Sequence, residues 1–193
     1  MSPARRRRPT IVAVGRGPAI AAVAGGLLAL LSVACGDPPA PPAPVGSPPA
    51  RSAAVALPAP QPVADGPCRY LSAAAVQDAN GERVSAVRVS ETGPDRPHPA
   101  CFFLTANGAV QLRTWIVVAT PEVARATVDA AAPVATSDLA ELPGGWSGGS
   151  QPTADGAVFA VSRQGTAVVI TTNQRQTISA RQVAGQVIVA LGL

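Results

Sequence analysis

Residues 100–119 read ACFFLTANGAVQLRTWIVVA. Two runs rich in aromatic and β-branched residues flank Asn107-Gly108, a pair in which both residues tolerate positive φ and so favour a two-residue hairpin turn. Setting Ala106 opposite Ala109 puts Phe103 across from Leu112 and Cys101 across from Thr114. Side chains alternate between faces along a strand, so Cys101, Phe103, Val110, Leu112, Ile116 and Val118 share one face, the expected core face. Such a face needs a covering layer, and helical patterns on either side of the hairpin can provide it.

Upstream, Tyr70–Asp78 reads as a helix with Ser72 as N-cap and Asn80-Gly81 as its stop, and Arg83–Ser90 alternates as a strand. Downstream, Pro121 opens a helix to about Ala132, with Thr120 able to cap it and Pro133 ending it. An irregular stretch, residues 134–156, contains Leu142-Pro143-Gly144-Gly145-Trp146-Ser147-Gly148-Gly149. A second hairpin pairs Ala157–Ser162 with Thr166–Thr172 around Arg163-Gln164-Gly165. The chain closes with a helix over Thr177–Leu191, whose Ala180, Val183, Val187 and Leu191 share one face. The order is α-β-β-β-α-β-β-α. The expected fold class is therefore α+β, an antiparallel sheet of about five strands with helices packed on one face.

The N-terminal part has a different character. Arg5, Arg6, Arg7, Arg8 and Arg16 precede an uncharged run from Gly17 to Ala34, the order of an export signal. The run resembles the bacterial lipobox in Leu31-Ser32-Val33-Ala34-Cys35, with Ser32 where that pattern most often has Leu. Residues 1–34 are thus expected to be a lipoprotein signal peptide, and Cys35 the diacylglyceryl-bearing residue that holds the chain on the outer face of the cytoplasmic membrane. Two acyl chains suffice for stable attachment. An uncleaved anchor and an ordinary secretory leader are the alternatives; Arg7-Arg8 also admits a twin-arginine route, though Pro9 follows the pair. Ten prolines fall between Gly36 and Gly66, so residues 35–66 are expected to form a disordered tether and residues 67–193 the single globular domain.

Dividing the chain this way changes what its charge means. The net +4 lies in residues 1–67, which hold six Arg and two Asp; residues 68–193 hold nine Arg and nine acids, and no Lys occurs. A neutral domain with few aromatics gives little basis for a nucleic-acid partner.

With Cys35 assigned to lipid, Cys68 and Cys101 remain as an even pair in an exported domain, the pattern of a disulfide. Metal binding lacks ligands, because His98 is the only His, and no cofactor motif is present. His98 stands between two prolines in a loop. Gly145-Trp146-Ser147-Gly148-Gly149 matches the G-x-S-x-G nucleophile elbow in letters. An elbow needs a strand before it, a helix after it and a later His, and the sequence offers none of these. Trp146 is expected to be packed or presented in that loop.

Pro67-Cys68-Arg69-Tyr70-Leu71, Pro99-Ala100-Cys101-Phe102-Phe103 and the helix start Pro121-Glu122-Val123-Ala124 together resemble actinobacterial lipoproteins catalogued only as a domain of unknown function. The resemblance spans residues 67–193, implies an extracytoplasmic domain, and favours the Cys68–Cys101 pairing; it brings no catalytic residues. The expected function is a non-enzymatic binding or accessory module for an envelope protein, lipid or glycan, with His98 and Trp146 as candidate contacts on the sheet's open face or the loop 134–156. The alternatives are a small exported serine hydrolase using Ser147 and a purely structural wall-associated protein.

Overall fold

The structure, a computed structural model, describes residues 54–193. The leader, Cys35 and the first part of the proline-rich segment lie outside the described residues. The hairpin of residues 100–119 forms the middle of one sheet. Its strands are β3 (Cys101–Leu104) and β4 (Val110–Val118), with Cys101 opposite Thr114 and Phe103 opposite Leu112 as the alternation requires. The turn is one residue longer than expected. Thr105 N–H donates to the Ala109 carbonyl at 2.9 Å, and Gly108 takes φ +82°; Gln111 is the extra residue on β4 that restores the register. A three-residue loop closed by a left-handed glycine and a bulge twists the strands as a primed turn does. Val110 and Val118, at the strand ends, are exposed rather than core.

The remaining elements are β1 (Ala64–Asp65), α1 (Ala73–Asn80), β2 (Ala86–Val89), α2 (Pro121–Ala131), β5 (Asp138–Leu142), β6 (Trp146–Thr153), β7 (Gly156–Arg163), β8 (Thr166–Thr172) and α3 (Thr177–Leu191). The caps follow the sequence. Ser72 Oγ accepts from Ala75 N–H at 3.1 Å, Thr120 Oγ1 accepts from Val123 N–H at 3.4 Å, and Gly81 ends α1 at φ +70°. The strands run β1-β2-β3-β4-β8-β7-β6-β5, all neighbours antiparallel.

The α+β class holds, while three details of the expected architecture are corrected. The sheet has eight strands, not about five, and the element order is β-α-β-β-β-α-β-β-β-β-α rather than α-β-β-β-α-β-β-α. Residues 134–156 are not an irregular loop, since β5 and β6 occupy most of them. The composition of β6, WSGGSQPT, argues against a strand, yet packing requires its glycines: a Cβ on Gly148 would run into the Ala160 carbonyl oxygen, and one on Gly149 would lie 2.8 Å from the Ala132 oxygen. Pro152 falls beyond the last β5 pairing, Asp138 with Ser150, where β6 has no neighbour on that side.

The third correction concerns the helices, which cover both faces. On one face α1 and α3 bury Val76, Ala180, Val183, Ala184 and Val187 against Phe103, Leu112, Ile116, Phe159, Val161 and Ile170. On the other, α2 buries Ala124 and Val128 against Trp115, Val117, Val158, Ala160 and Val169. Both faces of β4 are therefore apolar, as a central strand demands.

The domain also begins earlier than Pro67. Leu57 packs against the α2-side core and donates its N–H to Thr127 Oγ1 at 3.2 Å, Pro60 is buried, Val63 N–H donates to the Val89 carbonyl at 2.9 Å, and β1 pairs with β2. The second half of the expected tether is thus part of the folded domain. Proline there suits an edge segment, since it surrenders only N–H groups the sheet does not use. No helix among the described residues is long and apolar enough to cross a membrane.

Candidate functional site

Five of the residues singled out from the sequence fall in two places. At the β3 end of the sheet, Cys68 and Cys101 form a disulfide with Cα atoms 5.7 Å apart, pinning the segment before α1 to the sheet. A link across 33 positions of chain stabilises by roughly 4 kcal/mol on the chain-entropy estimate. Beside it the Tyr70 hydroxyl donates to the Pro99 carbonyl at 2.8 Å and shares a 2.7 Å hydrogen bond with Thr114 Oγ1. Burial pushes the Tyr70 phenol well above its ordinary range, outweighing the hydrogen bonds that act the other way. His98, half-buried, meets the Tyr70 ring edge-on with centroids 6.3 Å apart. This corner holds a satisfied phenol and a bridge: it braces the fold.

Trp146 and Ser147 lie at the other side of the sheet. Four strand spacings separate β3 from β6, about 19 Å at ~4.8 Å each. His98 immediately precedes β3, so it is far outside the hydrogen-bond reach a Ser–His pair requires. Ser147 is the second residue of an extended strand, opposite Ser162 and Glu141, not the apex of a strand-to-helix turn. Trp146 is 1% exposed and belongs to the core against α3, so it offers no surface to a partner. Its indole instead supports a neighbour. The Arg163 guanidinium lies 5.0 Å over the ring and Nη1 donates to the Gly144 carbonyl at 3.4 Å.

That stacked arginine stands at the polar end of a groove between α2 and strands β5–β7. Its larger part, about 430 Å³, is walled by Ala126, Val128, Ala132, Val134 and Leu139, with Asp129 at its rim. Val134 is 85% exposed and Leu139 75%, so the rim is apolar surface open to solvent. A smaller part, about 200 Å³, is lined by Gly145, Arg163 and Gln164. Arg125, Ser147 and Ser162 border both parts, joining them into one trench. Ser162 is largely buried as a residue, at 7% exposure. Neither Arg125 nor Arg163 is in an ion pair among the described residues.

A second cavity on the same face, about 280 Å³, lies between the starts of β4 and β7 and the end of β8, bordered by Phe102, Arg113, Thr153, Asp155 and Thr171. Arg113 is half-buried there, its Nε is buried without a hydrogen-bond partner, and burial lowers its pKa. The stretch 134–156, expected from the sequence as a contact region, supplies Val134, Leu139, Gly145, Ser147 and Gly148 to the groove, while its α2 wall and the second cavity were not read from the sequence. The signal available was Trp115 and Val117, whose alternation with the expected core face marks a second apolar face on β4.

The molecule is thus an α+β domain built on one eight-stranded antiparallel sheet, sealed by two helices on one face and partly covered by one helix and an extended arm on the other. Residues 53–193 match the family described as Domain of unknown function (DUF2020), and the chain belongs to that family. The match begins upstream of Pro67 and includes the extended arm. A search of curated proteins found no match. Among the described residues, no three His, Cys, Asp or Glu side chains are placed to hold a metal ion.

Proposed function

We propose that this chain is an extracytoplasmic lipoprotein, anchored through Cys35 on the outer face of the cytoplasmic membrane, whose DUF2020 domain is a non-enzymatic binding module with the α2–β6 groove as its contact surface. The observation that carries the binding role is the groove: an apolar trench, joined to a polar end lined by two arginines and two serines, on the one face the fold does not seal. Natural ligand sites have this composition, mostly apolar walls with a few convergent polar groups. The address rests on the arginine cluster, the uncharged run and Ala34-Cys35. The groove replaces His98 and Trp146 as the contact surface, because one braces Tyr70 and the other is interior.

The test uses the full chain, expressed in a bacterium competent for lipoprotein processing and extracted in detergent. Intact mass should show cleavage before Cys35 and added acyl mass, and an uncleaved chain would sink the anchor. The small molecules and proteins that co-purify should fall away when Ala126→Trp fills the trench. If wild type and this variant carry the same complement, the groove is not the contact surface.

A further inference from the structure

The groove has a chemical polarity along its length. At one end Val134, Leu139, Ala126 and Ala132 present hydrocarbon, and the acid nearby, Asp129, is engaged: its Oδ1 accepts from Val134 N–H at 2.9 Å. At the other end Arg163 is held over Trp146, and Arg125 of α2 and Ser162 of β7 line the same part of the trench. Glu141, opposite Ser147 on β5, lines neither part. Two guanidiniums that form no ion pair among the described residues, one held in place by an aromatic ring, suit an oxyanion, which Arg binds through its paired N–H donors. The apolar part falls in the size range of small-molecule pockets and has no polar group to satisfy along its walls other than at its rim.

Resting on the groove being the contact surface, we infer that its occupant is a lipid with an anionic phosphate headgroup: one acyl chain lies along Ala126, Ala132, Val134 and Leu139, and the phosphate sits between Arg125 and Arg163 with Ser162 donating to it. Charge places the head. Asp129 at the apolar end repels an anion, while the two arginines attract one, so the chain enters in a single direction.

Titration of the full chain with n-alkyl phosphates of increasing length, n-alkyl glucosides of matched length, and inorganic phosphate, read by native mass spectrometry and by tryptophan fluorescence, tests this. Alkyl phosphates are expected to bind with affinity rising up to about fourfold per added methylene until the trench is filled. They should bind at least about tenfold more tightly than the glucosides, and inorganic phosphate much more weakly than either series. Arg125→Gln, which leaves the Trp146 stack intact, should remove most of the phosphate preference; Arg163→Gln should remove the rest and shift the fluorescence. Equal affinity for phosphates and glucosides, or an unchanged preference in Arg125→Gln, would overturn the headgroup assignment while leaving the groove as a binding surface. Affinity independent of chain length would overturn the acyl assignment. Binding of every probe unaffected by Ala126→Trp would mean that the groove itself is not used.

Discussion

The two faces of the sheet solve the same burial problem in different ways. On one, two helices, a disulfide and the Tyr70 corner cover the strands, and Phe103, Leu112, Ile116 and Val168 are fully buried. On the other, α2 alone, eleven residues and so about 16 Å long, lies on a sheet whose seven strand spacings span about 34 Å. The extended arm through Leu57 supplements it. What α2 leaves uncovered is where both cavities and the half-buried Arg113 are found. The sealed face provides cohesion, which frees the other to hold apolar rims and arginines that form no ion pair among the described residues, which a tightly packed core would not tolerate.

The comparison breaks most directly with a pair of truncations. Phe103→Ala on the sealed face should destabilise by about 3–5 kcal/mol, because it deletes a fully buried ring among helices that cannot close in. Leu139→Ala on the groove rim, 75% exposed, should change stability by no more than about 0.5 kcal/mol. Urea unfolding followed by circular dichroism measures both. Similar losses at the two sites would mean that the rim is a packed core and the faces do not differ in kind.

Where a sequence signal was local, it was legible: the Asn107-Gly108 hairpin, the Ser72 and Thr120 caps, the β7–β8 hairpin and the α3 stripe all rest on periodicity or on a turn residue. The bridge was legible because setting Cys35 aside as the expected lipidation residue left Cys68 and Cys101 as an even pair. Strand β6 was not, because its glycines are there for close approach to Ala160 and Ala132, a tertiary demand that propensity scores as loop. The arm of residues 54–66 was read as tether for the same reason, since proline density suggests disorder and only the neighbouring β2 edge shows otherwise. The side of the sheet on which a helix lands is not written in its own amphipathicity. It was encoded in β4, where Trp115 and Val117 alternate with Leu112 and Ile116 and make both faces apolar. The α2 wall of the groove followed from that second face, so the sequence pointed to the stretch 134–156 without showing the trench it helps to form.

The sealed face is sharpened by pH. Tyr70 is the only tyrosine in the chain, so its ionisation can be followed without interference by ultraviolet difference absorbance. Its folded pKa is raised by burial, whereas in the unfolded chain it titrates near ~10. Below that pH the phenol is protonated in both states and its contribution is complete. Above it the unfolded state releases the proton while the folded state keeps it, so stability should fall by up to about 1.4 kcal/mol per pH unit until the folded phenol itself ionises. Tyrosinate should therefore appear together with unfolding. A phenol that titrates near pH 10 in the folded protein would show that this face is open to water at Tyr70.

The smallest effect is expected at Arg113, and its sign is what separates the faces. The guanidinium is partly desolvated on the α2 side, its Nε is buried without a partner, and it forms no ion pair among the described residues. A buried cation without compensation opposes folding, and an apolar side chain of similar length removes that opposition while filling the space beside Phe102. Arg113→Met should therefore be neutral or stabilising, within about 1 kcal/mol, in thermal unfolding at neutral pH. A loss of 2 kcal/mol or more, roughly what a satisfied charged hydrogen bond contributes, would mean that Arg113 is tied into the fold. The α2-side face would then be as fully committed to structure as the sealed one, and the contrast between them would rest on the groove alone.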